Sequence, residues 1–173
     1  FGYDFLKDST AAIADAYAAQ GLAATVVNND TWNAAELRLK LLGERHDLNS
    51  INAHFSHFLL ASADASLQGG ADLFRAAEVA STPVDLSGTL NFSVGCHSGL
   101  NVCDVCASSL GLQLGADLDY SQAFARKQGL WVGNTGYGYG DDAAVALSEE
   151  LMRKFVDRLG KSETVAVGDA MRL

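Results

Sequence analysis

Leu86-Ser87-Gly88-Thr89-Leu90-Asn91-Phe92-Ser93-Val94-Gly95 runs directly into Cys96-His97-Ser98-Gly99, and the shorter Leu48-Asn49-Ser50-Ile51-Asn52-Ala53 runs just as directly into His54. Both are apolar-rich runs of strand length, the pattern of strands buried in a sheet. Helical signals flank them. Asp8 or Ser9 can cap an Ala-rich helix that continues to Gln20 and stops at Gly21, after which Ala24 to Val27 read as a short strand. A second helix from about Thr31 carries Trp32, Leu37, Leu39, Leu41 and Leu42 and ends at Gly43. Downstream, Tyr120 to Gln128 reads as helix, Leu130 to Val132 as strand and Asp142 to Leu159 as a long helix. Helix and strand alternating through short Gly- or Asn-bearing joints predict an α/β domain of βαβ units around a mostly parallel sheet of at least four strands.

The 173 residues, 49% of them hydrophobic, suffice for one domain with a sizeable core, and the whole span 1–173 reads as that unit. Twenty-one acidic residues against 12 basic ones give a net charge of −9, which argues against a nucleic-acid partner. No apolar run approaches the roughly 18 residues of a membrane span. The chain opens at Phe1-Gly2-Tyr3-Asp4 without an initiator Met and closes at Gly168-Asp169-Ala170-Met171-Arg172-Leu173, which reads as the first turns of a helix. That layout is expected of a domain cut from a longer protein at both ends. Three cysteines, an odd number, do not make a disulfide framework.

Open parallel sheets carry their functional residues in the loops beyond the carboxyl ends of the strands. Those loops begin here at His54, Cys96 and Gly133. A thiol becomes an effective nucleophile beside an imidazole base, so Cys96 and His54 form a candidate catalytic dyad. A lone cysteine at a strand end is ordinarily a small buried hydrophobe. The position of Cys96, after Gly95 and before the polar turn His97-Ser98-Gly99, favours the nucleophile, because backbone N–H groups in such a turn can face an oxyanion. His57 is an alternative base; His54 is preferred because it directly ends its strand.

Cys103 and Cys106 form a C-x-x-C pair and, with Cys96 and His97, offer four soft ligands to a metal. Ser98 to Leu110 reads as helical, however, which sets Cys103 and Cys106 on one helix face with Cys96 at the strand tip. Helix packing is therefore preferred to a metal or redox site, and no cofactor is expected. The loop Gly133 to Gly140 lacks the spacing of a phosphate-binding fingerprint, and Asp141-Asp142 would repel phosphate. With Trp131, Asn134, Tyr137 and Tyr139 it fits better as the wall of a peptide cleft, a flexible turn being the alternative.

The two strand ends together resemble the gingipain-like cysteine peptidases, which share the caspase fold with caspases, legumain and clostripain. In that family an apolar strand ends in the catalytic histidine and a later one in the catalytic cysteine, in the order of Leu48 to His54 and Leu90 to Cys96. Gln122-Ala123-Phe124 followed by Gly129 to Gly140 is similar to the family's segment after the nucleophile. Val165-Ala166-Val167-Gly168-Asp169-Ala170 is similar to the start of its next helix. The resemblance implies a three-layer αβα caspase-like fold, thiol endopeptidase chemistry on a polypeptide substrate, and a secreted or cell-surface setting. It also implies Cys96 as nucleophile, His54 as acid and base, and an oxyanion hole from the backbone amides of Phe55 and Cys96. The family usually has glycine where Phe55 stands; a backbone N–H survives that exchange. Asp64, in the loop after His54, is a candidate orienting acid. An inactive caspase-fold binding module and a metal or thiol redox domain are the alternatives.

Overall fold

A computed structural model of the chain describes residues 1–63, 72–102, 118–161 and 165–172. Asp4–Leu6 forms a single 3₁₀ turn leading into α1 (Lys7–Ala18), and α2 (Ala34–Leu42) follows. The strands are β1 (Leu48–Ser50), β2 (His54–Phe55), β3 (Leu59–Ala61) and β4 (Leu73–Arg75), then β5 (Leu90–Phe92) and β6 (Leu130–Val132). The remaining helices are α3 (Ala76–Ser81), α4 (Tyr120–Arg126), α5 (Leu147–Leu159) and the short α6 (Val167–Ala170). Asn33 caps α2 by accepting from the Glu36 N–H, and Asp119 caps α4 by accepting from the Gln122 N–H at 2.7 Å. No helix among the described residues is long and apolar enough to cross a membrane.

The fold is mixed α/β, with two separate three-stranded sheets among the described residues. One is parallel in the order β1-β5-β6, pairing Leu48 with Leu90 and Leu90 with Leu130. The other is an antiparallel meander, β2-β3-β4. Side chains of the parallel sheet alternate as a strand's period of two requires. Leu90, Phe92 and Val94 pack with Ile13 and Tyr17 of α1 and with Met152, Phe155 and Val156 of α5. Ile51 and Trp131 belong to a second apolar cluster with Leu37, Leu41, Phe55, Leu60, Phe74, Tyr120 and Phe124.

Several expectations change. The parallel sheet has three strands among the described residues where at least four were expected. Ala24 to Val27 is not a strand: its Val27 carbonyl accepts from the Gly2 N–H at 3.0 Å, and Asn28, just after it, forms an isolated parallel bridge with Gly2. The strand expected over Leu48 to Ala53 stops at Ser50 because the Val94 N–H is taken by the Asn52 side-chain oxygen at 3.1 Å, not by a ladder carbonyl. The last long helix starts at Leu147 and not at Asp142: the Asp141 carboxylate accepts from the Ala143 N–H in a local turn, and Glu149 takes the Ala146 and Asp141 N–H groups. Glu149 is fully buried, and that burial holds its carboxyl above the ordinary range.

Candidate active site

The backbone that carries His54 and the backbone that carries Cys96 touch one residue before each of them. A Cβ on Gly95 would strike the Phe55 ring and come within 2.7 Å of the Ala53 carbonyl oxygen, so only glycine lets the two segments approach this closely. The Phe55 ring then lies beneath Gly95, buried in the core and edge-on to Tyr120 at 5.2 Å. Phe55 therefore fills the core and not the approach to the thiol.

His54 alternates to the other side of β2 and is exposed. Its ring lies 5.1 Å from that of Tyr3, and its N–H donates to the Tyr3 hydroxyl at 2.9 Å. Tyr3 in turn donates to the Ala61 carbonyl at 2.8 Å, and burial pushes its hydroxyl pKa up to about 12. A buried phenol thus holds the His54 backbone at the corner where the chain passes from one sheet to the other.

The β2–β3 register fixes which way the next amide points. Ser56 donates to the Leu59 carbonyl opposite it, so the adjoining Phe55–Leu60 pair is of the non-hydrogen-bonded kind and the Phe55 N–H turns away from β3. The Cys96 N–H makes no hydrogen bond among the described residues. The Phe55 and Cys96 N–H groups thus stand outside the β2–β3 ladder and the main-chain bonds of the turn.

Cys96 is a half-buried free thiol whose Sγ lies 3.6 Å from the Gly138 carbonyl oxygen. His97, next in the chain, sits in the left-handed region at φ 54°, which turns the backbone sharply after Cys96. The glycine loop is bound to this turn largely through main-chain atoms. His97 N–H donates to the Gly136 carbonyl at 2.6 Å, Gly99 N–H donates to that of Asn134 at 2.9 Å, and the Asn134 amide donates to that of Val94 at 2.7 Å. A Cβ on Gly99 would collide with the Gly133 backbone, and one on Gly138 with the Val94 carbonyl. The Trp131 indole stacks on Phe124 at 4.9 Å and donates to the Ser98 carbonyl at 2.6 Å, supporting the turn from below. Tyr137 and Tyr139 are exposed, and Tyr137 packs edge-on to the His97 ring at 4.8 Å.

Asn134→Ala removes the amide that ties the glycine loop to the carbonyl ahead of Cys96, leaving a partly buried acceptor unpaired. The expected cost is about 1–2 kcal/mol in chemical denaturation. A cost under about 0.3 kcal/mol would show that the loop holds without it.

His57 lies in the same neighbourhood. Its carbonyl accepts the Tyr120 N–H at 3.0 Å, which ties it to the start of α4, where Asp119 is buried. Burial holds the His57 imidazole below its ordinary value of 6.5; the Asp119 carboxylate opposes this and the His97 ring adds to it. A lowered pKa means that the unfolded chain takes up the proton first. The stability that neutral His57 allows is thus complete above 6.5 and falls as pH drops through 6.5 toward the folded value. In an NMR titration the His57 midpoint is expected below 6.5; a midpoint above it would mean that Asp119 outweighs burial.

The structure brings together the segments of His54, Phe55 and Cys96, with the loop of Asn134, Tyr137 and Tyr139 over the cysteine turn. Asp64, Cys103 and Cys106 lie outside the described residues. Sequence reading missed Tyr3 and Asp119. Asp119 had a local signal, the Asp-x-x-Gln capping pattern with Gln122, whereas the Tyr3 bonds span more than fifty positions and leave none. No family model, curated protein or solved structure matches the chain.

Proposed function

We propose that this chain is the catalytic region of a cysteine endopeptidase related to the gingipain-like peptidases, with a three-layer caspase-like arrangement. The reading is supported above all by the contact of Gly95 with Ala53 and Phe55, which sets the residue before Cys96 against the residue before His54. Cys96 as thiolate attacks the carbonyl carbon of a peptide bond. The N–H groups of Phe55 and Cys96 hold the oxyanion, and His54 delivers a proton to the leaving amine. The acyl–cysteine then takes up water, with His54 accepting the proton. Exposed Tyr137 and Tyr139 line the approach for the polypeptide substrate.

The test is cleavage of a diverse peptide library by the protein, blocked by one equivalent of iodoacetamide placed on Cys96. A protein that cleaves no peptide while a Cys96→Ala variant still binds partners would instead be an inactive binding module of the same fold. Equal alkylation rates for all three thiols would also count against the dyad.

A further inference from the structure

Leu22 to Val27 is apolar and yet lies open, with Leu22 and Val26 exposed by 45% and 51%. Facing it is β1, whose three residues are only half-buried while those of β5 are buried throughout. Between the two runs a cavity of about 350 Å³. Ala24–Val27 forms one long wall and Leu48–Ile51 the other; α1 contributes Ile13 and Tyr17, and α2 contributes Leu37 and Leu41.

Phe1 lines the cavity, and Phe1-Gly2 bonds to both walls at once. The Phe1 amino group donates to the Ser50 carbonyl at 2.8 Å, and the Phe1 carbonyl accepts from Asn52 N–H at 2.9 Å. Gly2 N–H donates to the Val27 carbonyl at 3.0 Å, and the Gly2 carbonyl accepts from Asn29 N–H at 3.2 Å. Both patterns are parallel pairings, and successive residues turned to opposite neighbours is what a central strand does. Walls bridged by one residue stand two strand spacings apart, about 10 Å, which leaves room for one strand.

We propose that this cavity is the seat of one more parallel strand, apolar on both faces, that enters Phe1 from its amino side and draws Ala24–Val27 into the sheet. The occupant is the polypeptide immediately preceding Phe1 in a longer product of the same gene. Phe1 and Gly2 already set its direction and register, and the apolar side chains of α1 and α2 at the cavity call for the two-sided apolar composition of a buried parallel strand. The sheet then has five strands, with Ala24–Val27 at its edge. This inference does not depend on the chemistry proposed for Cys96.

Amide hydrogen exchange at Ala24–Val27 and Leu48–Ser50 tests it, comparing the chain that starts at Phe1 with the longer gene product. Exchange at both walls is expected to slow at least tenfold in the longer protein. It is expected to return when the residues directly before Phe1 are replaced by a Gly-Ser segment of equal length. Equal exchange in the two forms would overturn the proposal, as would a gene with no apolar extended run ahead of Phe1. Protection that grows with concentration in the shorter chain would also overturn it, marking a second copy as the occupant.

Discussion

Cys96→Ser is expected to lower kcat/KM for peptide cleavage by at least about 10³-fold, with far-ultraviolet dichroism and melting temperature unchanged. A serine hydroxyl is nearly isosteric with the thiol but is scarcely ionised at neutral pH, so the fold is kept and the nucleophile lost. His54→Ala should lower the rate by about 10²–10⁴-fold, the ordinary range for losing a general acid and base, and should slow alkylation of Cys96 in parallel. His57→Ala is the internal control. If His54 is the base, the His57 variant keeps most of its activity; if the losses exchange places, the base is the half-buried imidazole beside Asp119. Cleavage that survives both Cys96→Ser and Cys96→Ala would remove the thiol mechanism altogether.

Phe55→Ala should cost about 3–5 kcal/mol of stability, the range for deleting a buried aromatic ring. That ring packs against Tyr120 at 5.2 Å and Trp131 at 6.0 Å and underlies Gly95, so its removal opens a hole below both segments of the candidate dyad. For a domain of this size the melting temperature should fall by about 10 °C or more. Phe55→Leu, which keeps most of the apolar volume, should cost much less. A loss below about 1 kcal/mol for the alanine variant would place the ring outside the core. The two variants separate fold from chemistry, since both keep the backbone N–H assigned to the oxyanion.

How much of this was legible in the sequence differs from element to element, for physical reasons. Leu130–Val132 forms as read because glycines at 129 and 133 bound it and β5 supplies its partner. The strand before His54 is shorter than read, since an Asn52 side chain replaces a ladder carbonyl, a substitution that periodicity does not reveal. His54 consequently opens β2 and does not end β1. The antiparallel sheet was missed entirely. Its strands have two or three residues each and are defined by pairing with one another, and the link Ser56-His57-Phe58 has no glycine or proline to announce a hairpin. For the site, residue type and an expected strand end put Cys96 and His54 forward as candidates; the structure keeps Cys96 beyond β5 but places His54 at the start of β2. The fit of Gly95 over Phe55 is a matter of packing between residues distant in the chain, and no local pattern carries it.

The glycine loop holds the cysteine turn with the His97 and Gly99 main-chain amides and the Asn134 amide, while the side chains of Tyr137 and Tyr139 stand out in solvent. Grip and display are thus assigned to different atoms. Position 139 can be varied without touching the anchorage, whereas position 137 also meets the His97 ring edge-on at 4.8 Å; under the proposed peptidase reading, 139 is thus the place where substrate preference can change while the turn beneath is kept.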